Sequence, residues 1–205
     1  MSKKQIDFTQ IDAKALAHLQ NFTAARIAIA KEDQRHKEVL IPLKKQLEAL
    51  KENRENDINA GLPRDEVLIK YSTVDVDNAI RKENDLHKEI IKPLNEELKS
   101  TYAFVVDGLY DGYVLKIEKQ KRGEYLKHIG KFLSDMGIIE VSQSALCKLA
   151  EQISDRIGVT ISKSKVLLED RVFTCSLKKP QFNKLFMSVF CDILVINGVM
   201  ECCFE

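Results

Sequence analysis

The chain predicts an all-α protein, a long antiparallel helical hairpin followed by a compact helical domain, and three observations carry that expectation. Only four prolines and eight glycines punctuate the 205 residues, and charged residues make up 31%, a composition that suits long solvated helices better than a strand-rich sandwich. The phrase HKEVLIPLKKQL at 36–47 returns as HKEIIKPLNEEL at 87–98. Apolar residues in both copies recur in alternating steps of four and three, the spacing of a helix that buries one narrow stripe.

The first helix is expected to start near Asp12, to carry Leu16, Leu19, Phe22, Ala25 and Ile29, and to continue through the seam His36, Leu40, Leu43, Leu47 and Leu50. Gly61 and Pro63 stop it, since glycine accepts the left-handed cap and proline cannot extend the ladder. That makes about 48 residues, or about 70 Å. LPRDEVLIKY at 62–71 forms a short helix at the tip. Thr73 or Asp75 then caps a second long helix with the seam His87, Ile91, Leu94 and Leu98, weakening through Thr101 and Val105 to the breaker DGLYDG at 107–112. Helices joined in this way lie antiparallel, and the seam suits a coiled-coil-like arm.

Aligning 28–48 with 79–99 matches ten of 21 positions, among them Glu32/Glu83, His36/His87, Pro42/Pro93 and Leu47/Leu98. An internal duplication explains a histidine and a proline in common register better than shared Lys/Glu composition does. A proline within a helix removes one hydrogen bond and bends the axis. Counting outward from a tip at 61–72 sets Pro42 and Pro93 at nearly one level, so the expected purpose of the repeat is a pair of matched kinks. The same count sets His36 and His87 about 15 Å apart in height. That separation argues against a metal held by Glu32/His36 and Glu83/His87, and in favour of seam histidines making polar contacts, with a pH-sensitive pairing as the remaining possibility. His36, Pro42, His87 and Pro93 are the candidate interaction residues.

After the breaker, 113–136 is expected to be one helix weakened by Gly123 and Gly130 and ending at Gly137. Ser142 or Ser144 caps the next, with the stripe Leu146, Leu149, Ala150, Ile153 and Ile157 closed by Gly158. Residues 159–178 are ambiguous between helix and a short extended segment near 172–178. The last helix begins near Pro180 and buries Phe182, Leu185, Phe186, Val189, Phe190, Ile193 and Leu194 before Asn197-Gly198. The expected domains are thus 1–111, the hairpin arm, and 112–205, the compact helical domain. Their charges differ mildly: 18 Lys and Arg against 20 Asp and Glu in the first, 14 against 11 in the second.

Cys147, Cys175, Cys191, Cys202 and Cys203 are odd in number, widely spaced and without a CxxC pair, which fits neither a disulfide framework nor a zinc site. Phosphate-binding loops, HExxH and GxSxG are missing from the sequence. No catalytic residue, cofactor or metal ligand is expected, and the chain is read as non-enzymatic. Leu185 to Met200, the most apolar window, is broken by Asp192 and Asn197 and is too short to span a bilayer, and no signal peptide is recognisable, so a cytoplasmic location without membrane association is expected.

The expected function is that of an interaction protein, an adaptor, accessory factor or inhibitor of the sort that phages and mobile elements encode, presenting its arm to a protein or nucleoprotein partner. A homodimer that swaps the hairpin would use the same seam. The alternative is nucleic-acid binding through the basic faces at 116–131 and 163–184, with Lys116, Lys119, Lys121, Arg122, Lys127 and Lys131 as the phosphate contacts. Glu118, Glu124, Glu169 and Asp170 interleave with these bases.

Overall fold

The computed structural model describes residues 5–102, 105, 107–162, 175 and 177–201, with the side chains of 159–162 set aside. Among the described residues there are seven α-helices and one 3-10 turn, and no strand. The helices are α1 (Ala13–Asn59), α2 (Arg64–Lys70), α3 (Val74–Thr101), α4 (Leu109–Glu118), α5 (Arg122–Asp135), α6 (Gln143–Ser162) and α7 (Lys179–Ile196). None is long and apolar enough to cross a membrane. The chain divides into two compact units, Ala25–Glu96 and a second made of Met1–Ala24 with Glu97–Glu205.

Within Ala25–Glu96, α1 continues unbroken across Pro42, and α3 across Pro93. Gly61 adopts φ +88° just beyond α1, the left-handed conformation that a helix stop requires. Lys70 at the end of α2 reaches Asp57 of α1 at 2.9 Å, and the Arg54 guanidinium donates to the Tyr71 carbonyl at 2.7 Å. These two contacts tie the short helix down, with Val67 buried beneath it. The tie to Lys70 holds the Asp57 carboxyl below its ordinary range.

The second unit is built on aromatic packing. Phe182, Phe186 and Phe190, on one face of α7, are completely buried. Phe132 of α5 packs edge-on against Phe186 and Phe190, each at 4.9 Å between ring centres, and Tyr113 of α4 lies 4.8 Å from Phe182. The amino-terminal segment joins this core: Phe8 meets Phe190 edge-on, Leu19 and Phe22 are buried, and the Phe22 ring lies 6.2 Å from Tyr102. Asp12 caps α1 by accepting from the Lys14 amide at 2.8 Å.

Several local expectations are corrected. Residues 113–136 are two helices, because the chain turns at Lys119–Lys121 with Gln120 at φ +54°. The DG at 111–112 is helical and does not break the chain. Gly112 is needed because a Cβ there would stand 3.0 Å from the Tyr125 backbone, so α4 and α5 pack closer than any side chain would permit. Gly108 supplies the true punctuation: its φ is +90°, and the His128 ring occupies the space a Cβ would take. Gly158 does not close α6, which runs on to Ser162. The extended segment expected near 172–178 falls largely outside the described residues, and Cys175, Leu177 and Lys178 are non-helical.

Candidate functional site

The repeated phrase supplies the site. In α1, Glu32, Arg35 and His36 lie within one turn, and in α3 the repeat places Glu83 and His87. The Arg35 guanidinium donates twice to Glu32, at 2.8 Å each, and also reaches Glu83, at 2.7 Å from Nη2 and 3.3 Å from Nη1. One planar cation thus bridges a carboxylate from each copy, a geometry that arginine's fork permits and lysine's point charge does not. His36 Nδ1 lies 3.0 Å from Glu83 Oε1, and His87 Nδ1 lies 3.2 Å from Glu32 Oε1. The two imidazoles stack, 4.0 Å between centres and 10° between planes. His87 Nε2 lies 3.4 Å from Asp33 Oδ1.

Both glutamates are buried, at 8% and 9% exposure. Hydrogen bonds from Arg35, reinforced by His87, lower Glu32 to about 2 against the opposing effect of desolvation. Arg35 and then His36 likewise lower Glu83. A carboxylate held ionised can only accept, so each histidine donates through Nδ1–H.

The contacts are reciprocal. Glu32 of the first copy meets His87 of the second, Glu83 of the second meets His36 of the first, and the equivalent histidines meet each other. That is the pattern of a local two-fold axis between the rings. Arg35 breaks it, because its repeat mate is Leu86.

The height argument from the sequence is therefore overturned: His36 and His87 touch instead of standing about 15 Å apart. The count failed because α2 folds back onto α1, with Lys70 and the Tyr71 carbonyl bonded to Asp57 and Arg54, so the chain does not turn at the centre of 61–72. With the histidines level, the matched level assigned to Pro42 and Pro93 no longer holds. Both prolines are exposed.

Chemically, the cluster is suited to holding a register. Arg35 bonds both oxygens of each carboxylate, and face-to-face stacking leaves the imidazoles unable to converge on one ion. No group of three or more His, Cys, Asp or Glu among the described residues is arranged to hold a metal.

The basic stretch is dispersed. Lys116 lies over the Tyr125 ring with Nζ 5.4 Å from its centre, and burial lowers its pKa. Arg122 pairs with Glu151, Lys127 sits 4.0 Å from Glu124, and Lys131 lies 3.3 Å from Asp135. Lys119 and Lys121 stand exposed at the α4–α5 turn. Of the second basic run, Lys163, Lys165 and Arg171 fall outside the described residues, and Lys179 lies 3.4 Å from Asp107. Cys147 and Cys175 are free thiols, and Cys191 is buried with its Sγ 3.9 Å from the Leu19 carbonyl oxygen.

Sequence reasoning marked the glutamates and histidines through their register but missed Arg35. Its one available signal was the spacing of three residues from Glu32, which puts the two on one helix face. No family model matches the chain, and the comparisons with curated proteins and with solved structures return no match.

Proposed function

We propose that this chain is a non-catalytic interaction protein whose residues 25–96 form an antiparallel helical hairpin, a coiled-coil-like arm presented to a protein partner. The observation that carries this reading is where apolar surface lies. Of the large hydrophobic residues exposed among the described residues, Ile41, Leu62, Leu68, Ile69, Val74 and Leu86 belong to 25–96, and Ile139 and Ile196 lie elsewhere. Within the same 25–96 segment, the buried side chains are Ala25, Val67, Val76 and the two glutamates. A segment that buries so little apolar area and exposes so much is suited to completion by a partner.

The reciprocal contacts of Glu32, His36, Glu83 and His87 support the antiparallel pairing, since each step forward on α1 meets a step back on α3. In that hairpin each proline stands six residues beyond its histidine in opposite directions, about 18 Å apart along the axis. The kinks therefore bend the arm at two separate levels. A buried polar cluster of this sort fixes register at some cost in stability, because any slip strands a buried charge.

Leu62, Leu68, Ile69 and Val74 gather at the tip, and this is the surface the partner meets. The test is affinity capture from the native host with the full-length chain. A protein recovered in stoichiometric amount, and lost when Ile69 and Val74 are changed to Asp, is the expected result. Retention of that protein by the double variant contradicts a tip-mediated role.

A further inference from the structure

Three carboxylates, one guanidinium and two imidazoles meet between α1 and α3, and their charges do not balance if both rings are neutral. Glu32 and Glu83 are buried and ionised, and Arg35 supplies one positive charge to the pair. Asp33, half-exposed, brings a third carboxylate to His87. An unbalanced charge at a buried site is costly, and a ring that takes up a proton offsets it.

The geometry distinguishes the two rings. His87 has a carboxylate oxygen at each nitrogen, Glu32 Oε1 at 3.2 Å from Nδ1 and Asp33 Oδ1 at 3.4 Å from Nε2. A neutral imidazole carries one N–H, so with Nδ1 donating to Glu32 the bare Nε2 would face an anion. The imidazolium has an N–H for each. His36 has Glu83 Oε1 at 3.0 Å from Nδ1, and among the described residues no carboxylate stands within ion-pair distance of its Nε2. The neutral ring satisfies that arrangement. Because the rings stack 4.0 Å apart, a charge on one opposes a charge on the other.

We propose that the stacked pair holds a single proton, carried by His87, and that this proton couples the register of α1 and α3 to pH near neutrality. The folded chain binds it more firmly than the open chain, in which neither Glu32 nor Asp33 is held against the ring. Its stabilising effect is therefore present below about pH 6.5, the ordinary value of imidazole, and is lost as the pH rises beyond it. Once the proton has gone, three carboxylates remain against one guanidinium, and the pairing of the helices loosens on the alkaline side. The device rests on contacts between α1 and α3 and needs no partner.

Side-chain nitrogen-15 NMR of the two histidines in the full chain, titrated from about pH 8 to about pH 5, is the experiment. The expected result is two separate steps, about tenfold or more apart in proton concentration. Both nitrogens of His87 should be protonated where His36 still shows the neutral Nδ1–H form. Asp33→Ala, at a half-exposed position, removes the carboxylate at Nε2, and His87 should then need roughly fivefold more acid to take up its proton. Hydrogen exchange of the unmodified chain, corrected for the pH dependence of exchange itself, should show protection around His36 and His87 falling severalfold as the pH rises from about 6.5 to about 8. That fall should be smaller in Asp33→Ala. A single common step, protonation of His36 first, a His87 step indifferent to Asp33→Ala, or protection that holds as the pH rises overturns the proposal.

Discussion

The two units solve the problem of burial in opposite ways. The unit containing α4 to α7 encloses Tyr113, Tyr125, Phe132, Phe182, Phe186 and Phe190 almost completely, and close-packed aromatic rings stabilise it by removing large apolar areas from water. Residues 25–96 place two ionised glutamates and a stacked histidine pair at the corresponding centre and leave their leucines half-exposed. A core of the first sort sets stability and tolerates repacking. A cluster of the second sort contributes little net stability for its desolvation cost, but it penalises every register except one. The difference teaches where to look for function: residues 25–96 leave apolar side chains exposed that the other unit would bury, and the proposed interaction role rests on that contrast.

The comparison breaks most visibly at the aromatic core. Phe186→Ala should destabilise the α4–α7 unit by about 3–5 kcal/mol. Leu40→Ala, at a half-buried seam position, should cost about 1 kcal/mol, since only part of its side chain leaves water on folding. Chemical denaturation followed by hydrogen exchange separates the two, and similar losses at both sites would mean that residues 25–96 have a conventional core after all.

Arg35→Leu sharpens the contrast next. It makes the two copies alike at this position and leaves Glu32 and Glu83 buried without their shared cation. Residues 25–96 should lose protection from exchange by more than Leu40→Ala causes, and both carboxylates should titrate higher by NMR. Adding Glu83→Gln should restore part of the loss, because one buried charge is then gone. Unaltered protection of residues 25–96 in Arg35→Leu would show that the cluster is ornamental.

Acid provides a milder test. Glu32 lies near 2 and Glu83 is also lowered from the ordinary 4.5, so the stability they contribute is present above that ordinary value and disappears as the pH falls through the folded values. Protection of residues 25–96 measured by exchange should therefore decline between pH about 4.5 and about 2. Arg35→Leu should move that decline upward. The smallest effect is expected at the basic turn: Lys119→Ala with Lys121→Ala should leave stability unchanged, within about 0.5 kcal/mol. A mobility shift of RNA or DNA that disappears in this pair, and weakens as salt rises, would make nucleic acid the better reading of these exposed lysines.

Much of the helical architecture was legible because its signals are local. Gly61 with Pro63 stopped α1, Ser142 capped α6 through a bond from the Ala145 amide, and Pro180 opened α7, each by chemistry that acts within a turn. The failures share a different cause. Gly112 resembles a breaker in sequence and is a close-packing residue in space, a distinction that depends on Tyr125 approaching from another helix. The packing of Phe8 on Phe190, and of Cys191 near the Leu19 carbonyl, joins residues more than 170 apart, and no periodicity encodes it. At the candidate site, repetition exposed Glu32, His36, Glu83 and His87, but levels counted from the tip placed them wrongly because α2 folds back. Arg35 stayed hidden because the repeat gives it no mate.

The register of the two long helices is the claim on which the rest depends, and proton NMR tests it directly. Nuclear Overhauser cross-peaks between the imidazole protons of His36 and His87, observed in the full chain, are the predicted result. Cross-peaks joining the Pro42 and Pro93 rings, with none between the histidines, would contradict it.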